Sequence, residues 1–258
     1  MSVSDPYLWA GSPTRDEIEG VMRQYCGPCP WEIMARMIHR LAEGEECRQQ
    51  DLLQALGKSR GGTSGRPIRE LLTAGLVEAV DAQIRSGRKT RMLRFTDRGQ
   101  ALAVALGVPP RNGLPALLKR HQSPMQVLLV LEARDVLRGW GYPQVDLWAH
   151  RFYTPLGRDC RPDIVARTPQ WREVFVEVEV RPPWARSANT YPRGRVQKWS
   201  IFHEVNGGAL YVLTPSPSRE RALVHEIIMW YQITREPVTL FSANVTYPGR
   251  DWDQHVFR

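Results

Sequence analysis

Apolar positions along the first hundred residues change their spacing once. Over residues 31–42, Trp31, Met34, Ile38 and Leu41 recur at three- and four-residue steps, one stripe of a helix entered through Pro30. A shorter helix is predicted over 49–56, with Leu52, Leu53 and Leu56 on it and Gly57 as its stop. A basic glycine-rich turn, 58–65, then leads to a third helix over 66–74. Pro67 is tolerated in its first turn, Ile68, Leu71 and Leu72 face inward, and Arg66, Arg69 and Thr73 lie on the other face. After Gly75 the period becomes two. Residues 76–82 and 91–95 read as strands of a hairpin with 86–89 at its tip, and Thr96 caps a further helix reaching about residue 106.

The run 107–115 carries three prolines and two glycines and breaks regular structure. It divides the chain into an N-terminal extension (1–27), a first domain (28–107), a linker (108–120) and a second domain (121–258). In the latter, an apolar helix over 125–138 precedes predicted strands 161–167, 173–181, 209–214 and 238–243. These alternate with helices 195–205 and 218–230, which argues for an α/β sandwich. No internal repeat or low-complexity tract interrupts the pattern.

At 258 residues and 42% hydrophobic content the chain can bury real cores. No stretch approaches 18 apolar residues, and residues 1–7 lack the basic and apolar segments of a signal peptide, so a cytoplasmic protein without a membrane partner is expected. Thirty-five Lys and Arg against 27 Asp and Glu give a formal charge of +8. That excess points to a polyanion, and without a basic amphipathic anchor nucleic acid is favoured over a membrane surface. Four cysteines are too few for a disulfide scaffold. Cys26-Gly-Pro-Cys29 copies a redox tetrapeptide but follows no strand-like segment. A zinc site would have to draw on Cys47 and His39. Thiols without a role and a metal or redox site both stay open.

Three helices, the third with cations outward, followed by a hairpin bearing Arg85, Arg88, Lys89, Arg91 and Arg94, follow the order of a winged helix-turn-helix. The passage Phe95-Thr-Asp-Arg-Gly-Gln-Ala-Leu resembles the strand-to-helix step after the wing in the MarR-like group. The resemblance spans about 28–107 and implies binding to double-stranded DNA. Arg66 and Arg69 would meet phosphates or guanine edges in the major groove. Lys58 and Arg60 in the turn and Arg85, Arg88, Lys89 and Arg91 on the wing would add salt-sensitive backbone contacts. Gly57-Lys-Ser59 imitates the tail of a phosphate-binding loop, but Leu52 stands where that loop needs glycine.

The strongest chemical pattern is Arg161-Pro-Asp-Ile-Val165 followed by Glu173-Val-Phe-Val-Glu-Val-Glu-Val-Arg181. Strand alternation puts Val174, Val176, Val178 and Val180 on one buried face, with Glu177 and Glu179 together on the other. With Asp163 from the neighbouring strand they would form an oxygen-rich pocket of the kind that holds Mg²⁺ or Mn²⁺. Pro162-Asp163 and Glu177-Val178-Glu179 resemble the two elements of the PD-(D/E)XK nuclease superfamily. The resemblance implies a C-terminal restriction-endonuclease-like α/β domain with a mixed central sheet, a metal held by Asp163 and Glu177, and a catalytic set of Asp163, Glu177, Glu179 and Lys198. The superfamily's strand lysine is replaced here by Glu179, as in some restriction endonucleases, and Lys198 on the next helix is placed to substitute for it. Glu132 is a further candidate ligand.

A narrower similarity is to replication-relaxation proteins of plasmids and mobile elements, carried by His121, residues 161–163, residues 177–179 and Lys198. It implies a DNA-binding protein that grips or cleaves DNA in mobile-element maintenance or transfer. Three alternatives remain at this point. The nuclease-like domain could have lost or never used catalysis. The carboxylates could sit on a half-exposed strand, neutralised by Arg161, Arg172 or Arg181. The chain could also be a non-enzymatic transcriptional regulator whose α/β domain forms a homodimer or binds a partner. His203 and His225 read as structural.

Overall fold

The computed structural model describes residues 14–26, 31–44, 47–57, 65–85, 88–110, 113–147, 152–180 and 191–258. The chain divides into two compact units, Met1–Pro124 and Met125–Arg258.

The first unit contains α1 (Arg15–Cys26), α2 (Trp31–Glu43), α3 (Gln49–Ala55), α4 (Arg66–Thr73), the antiparallel pair β1 (Val77–Arg85) and β2 (Arg88–Phe95), α5 (Asp97–Ala105) and α6 (Leu114–His121). The α2 stripe buries Met34, Ala35, Met37, Ile38, Leu41 and Ala42, and α4 buries Pro67, Ile68 and Leu71. Two segments correct the sequence reading. The stretch taken as an N-terminal extension holds α1, which buries Ile18 and Met22 and packs on α2 and α5. The stretch taken as a linker holds α6, which starts with Pro115 in its first turn and buries Leu114 and Leu117 beside β2. Proline in the first turn costs a helix nothing, because the missing N–H has no acceptor there.

The start of α5 is pressed onto the start of β1. Thr96 caps the helix by accepting from the Gly99 N–H at 3.1 Å, and its own hydroxyl donates to the Gly75 carbonyl at 2.6 Å. A Cβ at Gly99 would lie 1.8 Å from the Leu76 carbonyl oxygen, inside backbone that cannot swing aside. Gly99→Ala is therefore expected to destabilise the first unit by about 2 kcal/mol. Urea unfolding checks this, and an unchanged midpoint would show that the contact is looser than described.

The second unit opens with α7 (Pro124–Gly139) and continues through β3 (Gln144–Asp146), β4 (Phe152–Tyr153), β5 (Asp159–Cys160), β6 (Ile164–Arg167), β7 (Glu173–Val178), α8 (Arg193–Val205), β8 (Ala209–Thr214), α9 (Pro217–Thr234), β9 (Val238–Asn244) and β10 (Asp253–Phe257). Six strands form one mixed sheet in the order β10-β9-β8-β7-β6-β3, with β7, β8 and β9 parallel and the remaining pairs antiparallel. The pair β4–β5 stands apart. Helices α8 and α9 are the crossovers between the parallel strands. Their Trp199, Phe202, Leu223, Ile227 and Trp230 pack with Leu210, Val212 and Leu240 of the sheet. The carboxyl ends of three parallel strands thus share one edge, the usual place for a site in an open α/β sheet. Among the described residues no helix is long and apolar enough to cross a membrane.

Candidate functional site

Strands β6 and β7 run antiparallel with Ile164 opposite Val176, which sets Asp163 beside the end of β7. There the Val178 N–H donates to Asp163 Oδ2 at 2.9 Å. Glu177 is on β7 itself. Glu179 lies just beyond the strand but stays alongside β8, its N–H donating to the Leu213 carbonyl at 2.8 Å. The two carboxylates meet cations from α8, where Arg195 and Lys198 are three residues apart and so share a face. Lys198 Nζ pairs with Glu177 Oε1 and lies 2.9 Å from Glu179 Oε2, while Arg195 reaches Glu179 Oε2 at 2.7 Å.

The arrangement overturns the half-exposed strand. Glu177 is 9% exposed and Glu179 is 7% exposed, so the second face is covered at the carboxyl end of β7, while Glu173 at its start stays exposed. Buried carboxylates at this depth require cationic partners. Among the described residues, Lys198 and Arg195 supply them. Of the arginines considered from the sequence, Arg172 donates to the Asn206 carbonyl at 3.1 Å, and Arg181 lies outside the described residues. Burial alone would raise Glu179, but the Lys198 and Arg195 charges outweigh it and hold its carboxyl below the usual range. Burial alone would likewise lower Lys198, and the Glu177 and Glu179 charges reverse this, keeping its ammonium protonated well above the ordinary range. Burial, assisted by Glu177, pushes the Cys160 thiol up to about 12, so it is an inert core group at neutral pH.

Four participants went unnoticed in the sequence. Arg195 continues from Glu179 to Glu226 on α9, at 2.8 Å. The Tyr191 hydroxyl and Trp199 Nε1 each donate to Glu226 Oε1 at 2.7 Å. The Trp199 ring lies 5.1 Å from the Arg195 guanidinium and 5.0 Å from the Lys198 ammonium. One signal was available: Glu226 interrupts the α9 stripe of Leu223, Ile227 and Trp230, a carboxylate where the period demands an apolar side chain.

As donors for a metal, Asp163 and Glu177 are all-oxygen and suit a hard cation. Among the described residues no three His, Cys, Asp or Glu side chains gather as a metal cage. Mg²⁺ does not need one, since it is commonly held by one or two carboxylates together with water and substrate phosphate. The network through Glu177, Glu179 and Glu226 sets three carboxylates against the two cations Arg195 and Lys198. Glu132 is half-buried on α7 and His225 is exposed. His203 is structural, with Nε2 2.9 Å from the Pro237 carbonyl. Burial, and to a lesser extent Arg120, lowers His121 to about 4, so it is neutral at physiological pH.

In the first unit Arg66, Arg69, Lys89 and Arg91 are exposed. Arg66 pairs with Glu70 at 2.7 Å and Arg91 with Asp81 at 3.3 Å, exposed contacts worth little and easily exchanged for a phosphate. Lys58, Arg60 and Cys29 lie outside the described residues, as do the side chains of Arg85 and Arg88. Cys26, the first residue of the Cys-x-x-Cys run, is the last residue of α1. No family model, curated protein or solved structure matches the chain.

Proposed function

We propose that this chain is a duplex-DNA-binding protein. Its first unit is a winged helix and its second a PD-(D/E)XK-like domain that cleaves phosphodiester bonds with Mg²⁺ or Mn²⁺, acting on mobile-element DNA. The observation that carries the nuclease-like reading is Lys198. It comes from a different element, about twenty residues along the chain, and meets both Glu177 and Glu179. A lysine recruited from the following helix is what the replacement of the strand lysine by Glu179 requires.

In this reading Asp163 and Glu177 hold the ion, which supplies polarisation of the phosphodiester and a more acidic water when bound. Lys198 keeps a positive charge fixed beside the carboxylates, where it stabilises charge developing on the phosphate. Arg195 keeps Glu179 neutralised. Arg66 and Arg69 on α4 and Lys89 and Arg91 on the hairpin supply the attraction to the duplex.

Incubating supercoiled plasmid with the wild-type protein and Mn²⁺ or Mg²⁺ tests this. Chelator-sensitive nicking or linearisation is expected, reduced at least 100-fold in Asp163→Ala and Glu177→Ala. Cutting that survives both substitutions would remove these residues from the chemistry. A second reading, a regulator that does not cut DNA, is favoured by the fact that Glu177 and Glu179 already have cationic partners and need no ion to be buried. It requires site-selective retardation of DNA that is indifferent to chelator, and metal-dependent cleavage would exclude it.

A further inference from the structure

The geometry points to Glu226 as a positioning residue for the Lys198 site, acting from α9 through Arg195 and Glu179. The inference rests on the reading of the second unit as a phosphodiester-cleaving domain and adds a group outside the resemblance that suggested it.

Glu226 is fully buried on an otherwise apolar stripe, where an aliphatic side chain would pack at lower cost. Its Oε1 gathers the Tyr191 hydroxyl, Trp199 Nε1 and Arg195 Nε, the last at 2.9 Å. Arg195 is a rigid planar fork, so fixing one edge fixes the other. Its Nε and Nη2 edge faces Glu226, and its Nη1 reaches Glu179. Charges therefore alternate along one chain, Glu226, Arg195, Glu179, Lys198, Glu177, with each cation shared by two carboxylates. Removing the charge of Glu226 leaves Arg195, among the described residues, with one anionic partner, Glu179, in place of two. Glu179 is then more fully neutralised by Arg195 and holds Lys198 less tightly.

Glu226→Gln is the discriminating variant. A glutamine oxygen can keep the three donors at the Oε1 position. Its amide nitrogen takes the Oε2 position, which among the described residues has no hydrogen-bond partner. The chain has four lysines, Lys58, Lys89, Lys119 and Lys198, so ¹⁵N–¹H spectra of side-chain ammonium groups are simple to read. In the full-length wild type, Lys198 is expected to give a slowly exchanging ammonium signal, assigned by its loss in Lys198→Arg. In Glu226→Gln its hydrogen exchange is expected to be at least fivefold faster. Tyr191→Phe, which deletes one donor, should shift it in the same direction by less. In a Glu179→Gln background the Glu226 substitution should add nothing, because the route through Glu179 is already cut.

Cleavage by Glu226→Gln should lose about tenfold in kcat with KM within twofold. An unaltered Lys198 signal, or an equal effect in the Glu179→Gln background, would overturn the inference. If the wild type cuts no DNA, the cleavage reading falls, while the ammonium comparison still decides whether Glu226 positions Lys198.

Discussion

Lys198→Met is expected to destabilise the second unit by about 4 kcal/mol at neutral pH, because it leaves Glu177 and Glu179 buried beside too little positive charge. The deficit should depend on pH with a definite sign. In the wild type Glu179 sits below its ordinary value, so its contribution is present above the normal carboxylate range and is lost as pH falls through the lowered value. In the variant Glu179 keeps Arg195 but loses Lys198, so less positive charge opposes its burial and its value rises from the wild-type one. The wild-type advantage from this group is then full above the normal carboxylate range and shrinks as pH falls toward the lowered value. The two curves should draw together below about pH 4.5. The Lys198 contribution is full below its ordinary value and is lost only as pH rises through its raised one, beyond the physiological range. Urea unfolding of both proteins from pH 4 to 9 measures this, and a deficit that stays constant across the range would contradict the buried network. Lys198→Arg keeps the charge but replaces a compact ammonium by a bulky planar fork. It should retain most of the stability while losing cleavage, because the charge no longer sits where it would meet the phosphate.

Replacing Arg66, Arg69, Lys89 and Arg91 together by alanine is expected to weaken duplex binding about 100-fold or more at low salt. It should also flatten the dependence of log K on log salt by about 3 to 4, close to one per phosphate contact removed. All four side chains are exposed, so the fold should be unaffected. The partners of Arg66 and Arg91, Glu70 and Asp81, lower the effect only slightly, since such pairs are weak in water. Titration of a labelled duplex at several salt concentrations checks both numbers. A loss of affinity with an unchanged salt slope would mean that these residues do not meet phosphate.

Elements with a clean period were legible in the sequence. The ends of α2, α3 and α4 lie within about a residue of their apolar stripes, and β8 occupies residues 209–214 as expected. What failed had a physical cause. In α1 two buried residues, Ile18 and Met22, stand among charged neighbours, too few for a periodic signal. In α6 the prolines and glycines before the helix concealed Leu114 and Leu117. Strands β3, β4 and β5, of two or three residues, and the mostly polar edge strand β10 carry little pattern of their own. At the site, alternation grouped Glu177 with Glu179, and the structure brings Lys198 to both. Their burial was not legible, because it depends on what α8 lays over the second face. Arg195 and Glu226 escaped for the same reason: their meeting joins residues 31 apart on two crossovers.

The proposed duplex binding rests on the positive side chains of α4 and the β1–β2 hairpin. The most direct test is the affinity of the purified full-length protein for a random duplex at roughly 50 mM salt and upward. Binding that weakens steeply with salt, by about four or more in the logarithmic slope, is the expected result. Absence of binding at the lowest salt would contradict the account.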